Sequence, residues 1–435
     1  MSPLVKYVEW ITWIIPPSYI PNLFEFVHFL LFIIYIMIMK FYIKGSLVRN
    51  NSDLGMYRFA LYSWYLRILS GIFIYYFYFF YYRGGDVINY VQDSINFFTF
   101  GTIHFSIFIR YIIHSLFNQS FYDYFFEDPE LYFYWLQLRL RISYIFDFSS
   151  EMVSLLYLPF ISLGLGGYLP SLVIFNAVYT VYLSKFTQNY LQYIGVNLSI
   201  YYYFVCNLPS FLVWTSAPFK ESFVMLFMIY AAKNLFESSF SFYKFSISVF
   251  AIYLAYLVKP YIGVPFLAVF IIAYLAKSKI YFSANIFYKM IYSILFLIFM
   301  LTSLYFSVNL SERTGKYSPD KVLSQAYLVY MDLRSNETYY TETGGSVYDL
   351  GPLEPTLPSF LSKFPLATFT ALFRPFLTEG QKGVVLLASL EATLMLLLFL
   401  YLSIRYNFMQ NYASEYTRKR CCFIFLYFPY FFSFS

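Results

Sequence analysis

Apolar residues in this chain fall in long, nearly continuous blocks. They do not show the alternation of a half-buried strand or the one-sided spacing of a surface helix. A helix needs about 20 apolar residues to cross a hydrocarbon layer of about 30 Å, where its backbone must satisfy its own hydrogen bonds. By that measure residues 22–43 and 59–82 are the first two spans, and 291–308 and 383–401 are later ones. The pattern predicts an all-α, polytopic membrane protein built as a single integral domain (residues 1–435), with about ten to twelve transmembrane helices, several of them broken. A fixed-period repeat is not visible, nor is the inverted symmetry of many transporters.

The breaks carry as much information as the blocks. Residues 151–184 are interrupted by Gly164, Gly166, Gly167 and Pro170, which leaves open one span with a re-entrant piece or two spans. Residues 197–235 are cut at Leu208-Pro209-Ser210 and at Ala217-Pro218-Phe219-Lys220-Glu221, and residues 245–276 at Lys259-Pro260. Each reads as two short helices meeting near the outer face. Two long extracytoplasmic loops are expected, at 83–150 and 309–364. In the first, a helical run over 97–117, interrupted by His104, Arg110 and His114, can lie flat on the membrane. The basic residues after the first span (Lys40, Lys44, Arg49 and Arg58), with Lys185, Lys233 and Lys244, fit the cytoplasmic side. Lys220, Lys259, Arg374 and Lys382 then fall outside.

The two ends of the chain are short of the usual signals. Residues 1–17 have no basic leader or small-residue cleavage site, so insertion is expected through the first span. The apolar run 421–435 is short for a span. It is expected to lie partly in the interface or to belong to a truncated segment.

Composition agrees with a membrane solvent. Hydrophobic residues make up 60% and charged residues 12%, against about 25% charged in soluble domains. The 55 Phe and 50 Tyr exceed what interfacial belts require, which leaves helix packing and compositional bias to account for the rest. The net charge of +6 is dispersed over short loops; it suits anionic headgroups and gives no continuous stripe for a nucleic acid. Cys206, Cys421 and Cys422 lack metal or disulfide spacing, and His28, His104 and His114 share no helix face. No metal site and no cofactor is expected.

Three groups of residues can carry chemistry. Arg83-Gly84-Gly85-Asp86 follows an outward-going span, with Tyr90 and Asp93 beyond it. A carboxylate held at a membrane surface can act as a general base on a sugar hydroxyl or help hold a bound ion such as a divalent cation, the less favoured of the two, or it can simply cap a helix beginning at Val87. Around the second break stand Trp214, Ser216, Lys220 and Glu221. Ser216 is placed to cap a helix whose free amides, with Lys220, would bind phosphate; alternatively Lys220 snorkels and pairs with Glu221. The third group is Lys259-Pro260-Tyr261 and Phe373-Arg374-Pro375-Phe376, cations at outer-face breaks that together would form a positive cup. Arg67, Glu379 and Glu391 read as members of interhelical ion pairs.

The order Gly-Gly-Asp-x-x-x-Tyr, then Pro-Ser-(x)3-Trp-x-Ser-(x)3-Lys-Glu, then Arg-Pro-Phe before a Ser-Leu-Glu span resembles that of bacterial multi-spanning envelope-polysaccharide proteins. It is similar to that of GT-C-type glycosyltransferases using lipid-linked sugars and of O-antigen polymerases. The resemblance covers most of the chain, and it implies a bacterial inner-membrane, multi-pass protein acting on a polyprenyl-(di)phosphate-linked sugar at the extracytoplasmic face. It implies Asp86 as the catalytic acid of the first outer loop. It places Lys220, Glu221, Lys259 and Arg374 near the lipid phosphate. From the resemblance, more sequence is expected after the last apolar run, including another basic motif, whereas this sequence stops at Ser435. Two other functions share these features: a transporter or flippase of lipid-linked oligosaccharide, and a non-catalytic membrane scaffold.

Overall fold

In the computed structural model, residues 21–48, 54–117, 147–194, 207–237, 241–277, 319–335 and 350–378 are described, with 133, 143 and most of 386–401. The described residues are mostly helical, with no strand among them. They divide into two compact units, the first made mainly of residues up to 307 and the second mainly of residues from 308.

The first unit holds ten α-helices among its described residues, with one π-helical turn at Tyr78–Tyr82. These are α1 (Pro21–Leu47), α2 (Leu54–Phe77), α3 (Asp86–Ile103), α4 (Phe105–Phe117), α5 (Phe148–Leu163), α6 (Tyr168–Ile194), α7 (Pro209–Ser216), α8 (Lys220–Phe236), α9 (Phe242–Val258) and α10 (Pro260–Lys277). The first residues of α7 cluster with the second unit, which also contains α11 (Pro319–Ser335) and α12 (Leu357–Phe373). Among the described residues two helices are long and apolar enough to cross a membrane, Phe26–Leu47 and Tyr168–Gln192, and a third span results if α7 and α8, bent by 99°, are counted as one.

Those two helices differ in surroundings. The apolar window of α1 is only 6% buried and that of α6 is 72% buried, so α1 presents Phe26, Phe29 and Phe41 outward while α6 forms the core. The seam between them is filled by Ile43, Met56, Trp64, Ile68, Val173 and Ala177. Trp64 Nε1 closes it by donating to the Val173 carbonyl at 3.2 Å. At the far edge of α6, Tyr157, Phe160, Phe175 and Phe223 meet ring to ring, with centroids 5.2–5.8 Å apart at Phe175. The aromatic excess is thus spent partly on interhelical packing, edge-to-face contacts included.

The glycine-rich interruption after residue 163 resolves into two helices: α5 ends at Leu163, the chain turns through Gly164–Gly167, and Pro170 falls in the first turn of α6, where its missing N–H costs nothing. Gly71 has a different task. A Cβ there would stand 2.8 Å from the Ser216 carbonyl and 2.7 Å from Leu172, so glycine permits α2, α6 and the end of α7 to close up. Residues 291–308, 421–435 and the three cysteines lie outside the described residues, and 383–401 is described only in part.

Candidate functional site: charged groups at the helix breaks

Proline sets both breaks. Pro218 and Pro260 lack the N–H a continuing helix needs, so α7 stops at Ser216 and α9 at Val258. The first break is buried: Ala217, Pro218 and Phe219 are all inaccessible. Helix α8 then starts at Lys220 with Phe219 as its N-cap. Ser222 caps from inside, its Oγ accepting from Phe219 N at 3.0 Å. The expectation that Ser216 caps α8 is therefore corrected. Ser216 ends α7, and its carbonyl accepts from Asn176 Nδ2 at 2.9 Å. Because three residues separate Ser216 from Lys220, the chain turns too far for a Ser216 cap.

Lys220 occupies the first position of α8, the positive end of the helix dipole, where a cation is disfavoured. Its Nζ donates to Ser149 Oγ at 2.7 Å and to Asp147 Oδ2 at 3.3 Å. Lys259 links α9 to α10, and its carbonyl accepts from Ile262 N and Gly263 N, both at 3.0 Å. Its Nζ meets Glu221 Oε1 at 2.5 Å, with side chains 8% and 16% exposed. The local pairing of Lys220 with Glu221 is thus replaced by two cross-helix pairs. Successive residues at a helix start diverge by about 100° around the axis, so neighbours do not face each other.

Asp147 organises the approach of α5. As N-cap of that helix, it accepts from Ser149 Oγ and Ser150 Oγ, each at 2.8 Å. Tyr90 of α3 donates its hydroxyl to Ser150 Oγ at 3.3 Å. Deeper along the same helices, Asp93 is fully buried and accepts from Ser143 N at 2.9 Å and Ser143 Oγ at 3.1 Å. Glu151, also buried, accepts a hydrogen bond from the Tyr111 hydroxyl. Asp147, Glu151 and Tyr111 were not among the residues singled out from the sequence. Asp147-Phe-Ser-Ser150 ahead of an apolar run is a recognisable N-cap pattern that would have found the first of them.

Asp86 is the exposed first residue of α3, preceded by Gly85 as N-cap. The turn before it needs its glycines. Arg83 and Gly85 have φ of 54° and 117°, and a Cβ on Gly85 would lie 2.7 Å from the Tyr78 ring. The next residue, Val87, packs in one cluster with Ile74, Ala217 and Phe219, flanked by Tyr78, Val213 and Trp214. The starts of α3, α5, α8 and α10 therefore gather at one end of the first unit, around the two breaks.

Beneath the break lies Arg67, fully buried. Its Nη1 donates to Thr215 Oγ1 at 2.6 Å, and its guanidinium lies 4.4 Å from the Tyr179 ring centroid and 5.0 Å from that of Phe211. A hydroxyl and two ring faces thus contact the cation at the last turn of α7.

The remaining expected residues are less informative. Tyr261 is the second residue of α10, and Glu379 lies outside the described residues. Arg374 follows α12 in the second unit, stacked over Phe376 at 5.5 Å. Within that unit Glu391 accepts from Ser210 N at 2.8 Å and from its hydroxyl. Among the described residues no three His, Cys, Asp or Glu side chains are placed to hold a metal ion. No protein-family model, curated protein or solved structure matches this chain.

Proposed function

We propose that the chain is a bacterial inner-membrane glycosyltransferase or polymerase with about ten to twelve spans, acting on a polyprenyl-(di)phosphate-linked sugar at the extracytoplasmic face during surface-polysaccharide assembly. The observation that carries this reading is the meeting of Lys220 and Lys259 with the starts of four helices at two breaks. A helix start offers free N–H donors to an anion. Lys220 has three donors, two of which are used by Asp147 and Ser149 among the described residues. Its side chain is 23% exposed, so a phosphate oxygen can reach it.

In this reading Lys220, assisted by Lys259, stabilises the charge that grows on the leaving phosphate. The acceptor hydroxyl oxygen attacks the anomeric carbon, the bond from that carbon to the phosphate oxygen breaks, and the hydroxyl proton passes to Asp86. Arg83, Tyr90, Asp93, Trp214, Ser216, Glu221 and Tyr261 shape the surroundings.

The test is formation of a glycosidic bond by the purified protein in detergent, given a polyprenyl-diphosphate sugar and an acceptor. Asp86→Asn is expected to abolish product with insertion and folding intact; unchanged product refutes the assignment. A flippase of the same lipid is favoured by one observation, the 99° break between α7 and α8, since discontinuous helices line many transport sites. It would make no product in detergent and would move lipid only between two compartments. A scaffold would tolerate alanine at Asp86, Lys220 and Arg374 together.

A further inference from the structure

One cavity of about 200 Å³ opens on the side of the first unit, between α4, α5 and α9. Its lining is apolar, including Ile112 and Leu116 of α4, Met152 and Leu156 of α5, and Phe250 and Leu254 of α9. A single hydrogen bond fixes the wall: Tyr253 Oη donates to the Leu116 carbonyl at 2.6 Å, satisfying an orphan acceptor in the last turn of α4. The groove is thus already formed, and Phe250 and the neighbouring Ile113 are half exposed at its rim.

Its position relative to the lysines follows from helix geometry. Met152 lies five residues into the chain from Asp147, the partner of Lys220, and Leu254 lies five residues before Lys259. At 1.5 Å per residue, each is about 7 Å from the charged end. Two helices of the groove wall therefore lead directly to the two ion pairs. An apolar trough one or two turns from a cationic helix start matches an amphiphile with an anionic head and a hydrocarbon tail.

We propose that the α4–α5–α9 groove seats the first part of the prenyl chain of the lipid-linked substrate while its phosphate rests at Lys220. This rests on the phosphate reading above and extends it, since it assigns the tail to a particular wall. The groove, about 200 Å³ and lined almost wholly by apolar atoms, suits a single methyl-branched isoprene chain better than the paired chains of a membrane phospholipid.

The experiment uses the full chain in nanodiscs and a polyprenyl phosphate bearing a diazirine in the isoprene units next to the phosphate. Two further probes, the corresponding prenol and a diazirine-tailed phospholipid, serve as comparisons. Crosslinks mapped by mass spectrometry are expected on Ile112, Leu116, Leu156 and Leu254. They should weaken on adding inorganic pyrophosphate or in Lys220→Ala, and fall about tenfold in Leu254→Trp, which fills the trough. Met152→Phe gives the same test should Leu254→Trp fail to fold. Labelling that depends on Lys220 but maps to other helices overturns the groove and leaves the phosphate reading standing. Equal labelling of the groove by all three probes, unaffected by Lys220→Ala, marks ordinary lipid contact and overturns the inference. Absence of any phosphate-dependent labelling overturns both.

Discussion

The hairpin of α8 and α9 carries lysines at both ends and treats them differently. At its turn, Lys233 sits in the last turn of α8, where the helix dipole welcomes a cation. Lys233 and Lys244 share Glu237 at 3.6 and 3.3 Å, and Asn234 bridges to Ser248 at 3.0 Å. Burial pushes the Glu237 carboxyl up, but Lys233 and Lys244 outweigh it and hold the group below the usual carboxylate range. At the other end, Lys220 opens α8 against the dipole and Lys259 is almost wholly enclosed with Glu221. One end uses charge where it is cheap to keep, and the other keeps charge where solvation and dipole both oppose it. That contrast points to an anionic ligand at the breaks and to an ordinary helix turn at the other end.

The largest expected effect separates the two ends by activity. Lys220→Ala should lower glycosyl transfer in a membrane assay by about 10²–10³-fold, the usual loss when one donor to developing charge is removed. Lys244→Ala should leave the rate within about twofold. Equal losses would erase the distinction.

Stability gives the next contrast. Removing one member of an enclosed pair leaves the other charge buried, so Lys259→Ala should cost about 3–5 kcal/mol, read as an unfolding midpoint in detergent. Removing both with Glu221→Ala should recover part of it. Lys244→Ala should cost less than about 1 kcal/mol.

Gly71→Ala tests the close approach beneath the break. With 2.8 Å to the Ser216 carbonyl, the added methyl should force α2 away from α7 at a cost of about 1–3 kcal/mol. It should also weaken transfer if that contact holds Lys220 in place. The smallest effect is expected at the turn. Because the folded Glu237 titrates below its unfolded value, its stabilisation is complete above about pH 5 and fades as pH falls through the lowered folded value. Midpoints of wild type and Glu237→Gln should therefore differ at neutral pH and converge in acid.

Much of the frame was readable from residue order, because proline and glycine act locally. Pro218, Pro260 and Gly84-Gly85 mark the breaks and the turn wherever they occur. The partners of the charges were not readable. Asp147 is far from Lys220 in sequence, and Glu221 from Lys259, so packing alone decides which carboxylate meets which lysine. Sequence proximity suggested Lys220 with Glu221, and helix geometry sends those neighbours to different faces. Arg67 was legible as an ionisable residue within a span, but its ring and hydroxyl contacts come from α6 and α7, more than a hundred residues away in sequence.

The most direct test is titration of the purified full chain with farnesyl phosphate, followed by ³¹P NMR, in wild type, Lys220→Ala and Lys244→Ala. Saturable binding that survives Lys244→Ala and disappears in Lys220→Ala is the expected result. Binding of equal strength in all three proteins would contradict an anion site at the helix breaks.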